Sequence, residues 1–249
     1  MSAGSPPSQE GLPPNVVRQL TASADELWNH STEKINAEVV ALTYGSLVAN
    51  LAREALSSGA GVAAINTRLD EMGYNIGLRL ADDFASRTHS LFANTPTRRT
   101  GDGANSVSLL RRCADFRETA EIISKVAFKM YLGESPAITD FALSSPADGN
   151  RPAFSLEFVE PPFSSHVMLP PVLNGRSTSA GETGAGGKSR EDALSYLSMI
   201  AGVIRGALFA LGLEVITSTP RCTLWGDSIS EIRVVLVRKI PASAPPSDD

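Results

Sequence analysis

Two stretches of this 249-residue sequence hold residue types that do chemistry: RRCADFRETA at 111–120 and GETGAGGKSR at 181–190. The second ends in Gly187-Lys188-Ser189, like a phosphate-binding loop. Such a loop reads G-x-x-x-x-G-K-[ST], so that backbone N–H groups can wrap the phosphates. Counting back, the first glycine falls at position 182, which is Glu182, and Gly181 is one residue too early. A carboxylate there would face the phosphates. The preceding residues, LPPVLNGRSTSA, are polar and proline-broken, whereas the loop needs a buried strand leading in. The spacing excludes a nucleotide site and leaves a flexible Gly/Ser/Thr loop.

The first stretch is more informative. Asp115 and Glu118 form a capping-box variant, which predicts a helix starting just after Asp115 and places Cys113 two residues before its cap. The positive end of a helix favours a nearby anion. Arg111, Arg112 and Arg117 add formal charge of the same sign, and thiolate is the reactive form of cysteine. Asp115 and Glu118 oppose that shift. These residues alone leave two readings open, a reactive thiol and an inert cysteine buried in a turn. A cysteine protease would need a histidine beside the thiol. His30, His89 and His166 are scattered, and no H-E-x-x-H or Cys/His cluster argues for zinc.

The next helix in the chain presents Phe116, Ala120, Ile123, Ala127 and Met130 at spacings of four and three, along one apolar face. Two of the five are alanines. Gly73 and Gly77, and Gly202 and Gly206, are likewise four apart within predicted helices. Small residues on facing helices lead either to close packing or to a narrow apolar channel. Interiors rarely keep voids. An acyl chain on Cys113 would fill such a channel, at ~0.8 kcal/mol per buried CH₂.

Periodicity identifies the elements that must position these residues. Residues 1–22 are rich in Pro, Ser and Gly and read as a disordered tail, with room for a short helix over 24–37. Helical spacing appears at 41–56, more strongly at 65–88, and again at 115–132. Segments 138–144 and 153–159 read as strands of a hairpin. A long helix is predicted over 191–213, and EVITSTP, CTLWGD and EIRVVLVRKI supply two or three more strands. Helices, two strands, a helix, then strands make an α+β domain over 38–241 with an antiparallel sheet. Polar inserts interrupt it at 89–110 and 161–190, and 242–249 is a second disordered tail.

Composition narrows the function classes. A net charge of −5 provides no field for nucleic acid. Two cysteines, Cys113 and Cys222, form no C-x-x-C, and the first residues hold no apolar run of the signal-peptide kind, so a reducing cytosolic setting is expected. Cys222 reads as a small apolar filler. Residues 197–213 are nearly all apolar, but Arg205 in their middle would cost ~3 kcal/mol at a bilayer centre. A buried core helix is the reading.

Five blocks carry a family resemblance: LTYGSLV (42–48), LDEMGYNIGLRLADDF (69–84), RCADFRETAEIISKVAFKMYLG (112–133), GVIRGAL (202–208) and GDSISEIRVVLVRKI (226–240). Together they closely resemble the TRAPP small-subunit family, and within it the subunits that carry an acyl-cysteine. The resemblance implies a twisted antiparallel sheet with helices packed on one side, and a helix-mediated dimer. It implies a core scaffold without catalysis of its own, pairing as a homodimer in isolation and with other TRAPP small subunits in the complex. The whole complex would be a guanine nucleotide exchange factor for a Rab-type GTPase and take part in vesicle tethering between endoplasmic reticulum and Golgi. The subunit would be cytoplasmic, peripheral at cis-Golgi and endoplasmic reticulum membranes through the complex, with no nucleic acid partner. No cofactor is implied beyond a covalent palmitate. By the same resemblance Cys113 is the S-palmitoylation site and Ala127 a channel-lining residue. Ala120, Ile123, Phe116, Met130, Gly73 and Gly77 are the further lining candidates. Ala114 stands where relatives often carry a polar residue, frequently histidine. The competing reading is a thioester or acyl-handling enzyme using Cys113. Arg98, Arg99, Arg111 and Arg112 could meet anionic lipid, although a solvated loop is the simpler reading. The tail from 240 to 249 is a candidate contact with the GTPase.

Overall fold

The computed structural model describes residues 12–93, 116–142, 151–164, 167–170, 173 and 193–240. Cys113 with Arg111 and Arg112, the expected cap Asp115, Arg98 and Arg99, the Gly187-Lys188-Ser189 stretch and the C-terminal tail after Ile240 lie outside them.

Helix α1 spans Pro14–Glu26 and runs on through a π turn, Leu27–Ser31. It begins within the segment expected to be a disordered tail, and with its π turn it covers 24–31 of the helix expected at 24–37. Its sequence is weakly apolar, but Val16, Leu20 and Ala24 fall at spacings of four and are all buried. Packing of that stripe, more than intrinsic propensity, holds so short a helix together. Helix α2 spans Ala37–Ser58. Asn36 caps it, its Oδ1 accepting from the backbone N–H of Glu38 at 2.7 Å, and Gly59 ends it with φ of 73°. Helix α3 spans Gly61–Ala93, so the first expected insert begins as helix.

The next rod has three pieces: α4 (Phe116–Ile122), a π turn (Ile123–Ala127) and α5 (Phe128–Leu132). Gly133 stops it with φ of 75°. Strands β1 (Ala137–Ala142) and β2 (Ala153–Phe158) pair antiparallel. Helix α6 is Ser198–Ala210, shorter than the helix expected over 191–213. The reason is a competing set of hydrogen bonds. Asn66 Nδ2 donates to Ala193 O at 2.8 Å, and its Oδ1 accepts from Ser195 N–H at 2.9 Å. Trp225 Nε1 donates to Leu194 O at 2.9 Å. These hold 193–195 extended against α3, so the helix cannot begin until after them.

Strands β3 (Leu213–Arg221) and β4 (Ser230–Lys239) complete the sheet. Between them CTLWGD forms a 3₁₀ turn, Thr223–Trp225, rather than the third strand. Asp227 Oδ2 accepts from Cys222 N–H at 2.9 Å, and Cys222 O accepts from Trp225 N–H at 2.9 Å, which closes the chain on itself.

The sheet order is β1-β2-β4-β3, antiparallel throughout. Phe154, Leu156 and Phe158 on β2 share one face with Ile232, Val234 and Leu236 on β4, as a period of two requires. On that face lie α4, α5 and α6. The other face carries an ion cluster in which Arg221 bonds Glu157 at 2.6 Å and Glu231 at 2.7 Å. The α+β class with helices on one side of the sheet agrees with the expectation.

Candidate functional site

Two helical layers meet over the sheet, and each is set by small residues. Helices α3 and α6 run side by side with backbones nearly touching. A Cβ added at Gly73 would stand 2.0 Å from Met199 O, and one at Gly77 would stand 2.1 Å from Val203 O. From the other side, a Cβ at Gly202 or Gly206 would stand 2.2 Å from Asp70 O or 2.1 Å from Tyr74 O. Asp70 and Arg205 form an ion pair between the same two helices, and the Arg205 guanidinium lies 4.4 Å from the Tyr74 ring centroid. The four glycines therefore serve close approach. Gly73 and Gly77, expected along the channel, are packed against backbone instead.

The α4–π–α5 rod does not close against that pair. An apolar cavity of about 260 Å³ lies between them. From α3 it is lined by Ile76, Leu80, Ala81 and Phe84, from α6 by residues including Met199, Val203 and Ala207, and by Leu211 just after α6. The rod contributes Thr119, Ile122, Ile123, Ala127, Phe128, Tyr131 and Leu132, and Phe163 arrives from the loop after β2. The Tyr131 hydroxyl donates to Asp83 at 2.7 Å, so its polar end is occupied. Burial and that bond hold the Tyr131 phenol protonated, its pKa pushed well above the usual range. The walls offer almost no polar atom to a ligand, which suits a hydrocarbon chain and excludes a nucleotide or a hydrated ion.

Among the seven lining candidates, Ile123 and Ala127 stand in the cavity wall. Phe116 and Ala120 point into the sheet core, where Phe116 meets Phe154 at 5.0 Å between ring centroids. Met130 packs under α1 with Ile122 and Val126. The π turn explains the displacement of Met130. A stripe spaced four and three stays on one face only while the helix keeps 3.6 residues per turn. One wider turn between 123 and 127 rotates the residues after it. Phe128, not Met130, then continues the sheet-facing side. Nothing in the sequence announced that turn. The lining from α6 and Phe163 also went unforeseen, although the apolar run 197–213 was the available signal.

Cys222 is not a second candidate nucleophile. It is buried between β3 and the 3₁₀ turn, and burial pushes its thiol pKa up.

The transport protein particle (TRAPP) component family model matches residues 40–235 of this chain. The chain belongs to the TRAPP component family. It is 33% identical to trafficking protein particle complex subunit 3 of Dictyostelium discoideum over 87% of this chain and 93% of that one. It is 36% identical to transport protein particle subunit bet3 of Schizosaccharomyces pombe, over 87% and 92% respectively. Among solved structures it resembles the trafficking protein particle complex subunit 3 of Naegleria fowleri, which is covalently bound to palmitic acid. That match has a TM-score of 0.58 and 34% identity, covering 84% of this chain and all of that one. Helix α1 lies outside the span of the TRAPP family model. Within the described residues, no helix is long and apolar enough to cross a membrane, and no group of three or more His, Cys, Asp or Glu could hold a metal ion.

Proposed function

We propose that this TRAPP component is a core scaffold subunit whose interior is completed by a palmitoyl chain on Cys113. The observation that carries the reading is the apolar cavity beside the rod that begins just after Cys113. Cys113 precedes Phe116, the first described residue of α4, by three positions in the sequence. The covalent palmitate of the Naegleria fowleri relative supports the same assignment. Ile123, Ala127 and Val203 would hold the chain, and a buried chain is withheld from the membrane. One acyl chain gives only marginal membrane binding even when exposed.

Acylation from acyl-coenzyme A is a thioester exchange. The Cys113 Sγ–carbonyl bond forms, the bond from carbonyl to coenzyme A sulfur breaks, and coenzyme A leaves as the thiol with the cysteine proton. Assembly then depends on surface. Ile35, Val39 and Leu42, around the start of α2, are 75%, 57% and 72% exposed, an apolar strip fitted to pairing through helices. In this reading the subunit pairs with itself in isolation and with other TRAPP small subunits in the complex. The complex tethers vesicles between endoplasmic reticulum and Golgi and exchanges nucleotide on a Rab-type GTPase. The subunit sits at those membranes peripherally, from the cytoplasm, and turns over no substrate by itself.

Intact mass of the purified protein after incubation with palmitoyl-coenzyme A tests the reading. One retained palmitoyl group, mapped to Cys113 and labile to neutral hydroxylamine, is expected. Repeated release of free fatty acid would assign the thiol to an acyl-handling enzyme instead, and no adduct would end the acyl reading.

A further inference from the structure

Helix α1 lies outside the span of the family model, yet it is tied along the rod that walls the cavity. Just before its start the Leu12 N–H donates to Glu121 Oε2 at 2.9 Å. Near its end Asp25 Oδ1 meets Lys129 Nζ at 3.0 Å, and Lys129 Nζ also donates to Gly133 O at 3.2 Å. In the π turn that follows, the Trp28 ring lies on Gly133, 2.8 Å from where a Cβ would stand. The Lys34 ammonium is 4.7 Å from the centroid of the Trp28 ring. Leu12, Asp25 and Trp28 thus meet Glu121, Lys129 and Gly133 in the same order, so α1 runs parallel to the rod.

Between these ties Val16, Leu20 and Ala24 form one apolar cluster with Phe84 of α3 and with Ile122, Val126 and Met130 of the rod. Phe84, Ile122, Ala127 and Tyr131 belong both to that cluster and to the cavity wall. The wall on this side is a single layer of side chains, with the cavity in front and α1 behind. The attachment is slight. The buried side chains of α1 are Val16, Leu20 and Ala24, its ion pair is partly exposed, and a free helix of 13 residues is marginal in water. An element with so few buried contacts opens before the whole domain unfolds. The α3–α6 pair, packed backbone to backbone, does not.

We infer that α1 and its π turn form a latch on the cavity: docked, they hold the rod against α3 and α6, and released, they open the cavity to an acyl chain. What the latch guards rests on the proposed acylation of Cys113. How it closes rests on the contacts of α1 alone. Trp28 on Gly133 is its catch. Gly133 ends the rod at φ of 75°, much as Gly59 ends α2 at φ of 73°. They differ in one respect, because a Cβ at Gly59 would meet nothing within 4 Å. Gly59→Ala therefore carries backbone strain alone, and Gly133→Ala carries the same strain and displaces Trp28.

The test is the rate at which the cavity admits a probe. Protein stripped with neutral hydroxylamine is mixed by stopped flow with cis-parinaric acid, a polyene fatty acid that fluoresces in apolar surroundings. Gly133→Ala should speed uptake at least ~10-fold over Gly59→Ala, the effect of overpacking one contact. Trp28→Ala removes the catch without touching either glycine and should also speed uptake, which keeps the test decisive if Gly133→Ala does not fold. In the Trp28→Ala background, Gly133→Ala should add no more than Gly59→Ala does. Rates for Gly133→Ala and Trp28→Ala no faster than for Gly59→Ala would overturn the latch and leave the acyl site standing. Absence of uptake by every stripped protein would overturn it too. Parent shown by intact mass to carry palmitoyl on Cys113 should admit no probe. Uptake by that parent at the stripped rate would put its chain outside the cavity, overturning the proposed function and leaving the latch.

Discussion

Replacing Cys113 by serine removes the anchor of the proposed chain and leaves the cavity between the α4–π–α5 rod and the α3–α6 pair unfilled. The cost can be worked in two ways. A void of about 260 Å³ at ~24 cal/mol per Å³ is worth ~6 kcal/mol. Counting the chain instead, about fourteen methylenes at ~0.8 kcal/mol each, less ~0.5 kcal/mol of lost rotamer freedom per bond, leaves ~4 kcal/mol. Both routes place the acylated protein ~4–6 kcal/mol above the bare one in stability. At ~2–4 °C per kcal/mol for a chain of this size, that is a fall of about 10–20 °C in melting temperature. The assay is a thermal melt by circular dichroism of three samples: parent shown by intact mass to be acylated, parent stripped with hydroxylamine, and Cys113→Ser. The stripped parent and the serine variant should melt together, well below the acylated parent. Three coincident melts, with acylation of the first verified, would refute the claim that the chain acts as a core side chain.

Two further expectations concern the frame of the site. Gly77→Ala puts a methyl 2.1 Å from Val203 O, and since neither helix backbone can yield locally, α3 and α6 must part, at a cost of about 3 kcal/mol or more. Urea unfolding should show the midpoint falling with little change in slope, and an unchanged midpoint would mean the helices are not in contact there. Cys222 should resist alkylation in the folded protein far more than a free thiol at the same pH, because it is buried and its pKa is raised, so little thiolate forms. Rapid native labelling mapped to Cys222 would contradict that placement.

Much of the fold was legible because its signals are local. The apolar spacing of 65–88 lies inside α3, and the strand patterns at 138–144 and 153–159 fall on β1 and β2. The false phosphate loop could be rejected on spacing alone. The resemblance carried by 112–133 pointed to the family and to the rod beside the cavity. Where expectation and structure part, a distant partner outvoted local pattern. Asn66 and Trp225 hold 193–195 extended and delay α6, although the residues there are apolar enough for helix. Val16, Leu20 and Ala24 become a helix because Ile122, Val126 and Met130 receive them, and Glu121 accepts from the Leu12 N–H at 2.9 Å.

The sequence by itself determined that small residues would face one another between helices, because size and spacing are properties of each residue and its near neighbours. It could not say which small residues close a gap and which leave one. The tertiary structure decided that Gly73, Gly77, Gly202 and Gly206 bring two backbones together, while Ala127 faces an open cavity across from them. The physical reason is that a void belongs to no single helix. It depends on how far apart the sheet, the π turn and the α3–α6 contact hold three elements, and those distances exist only once all of them have packed.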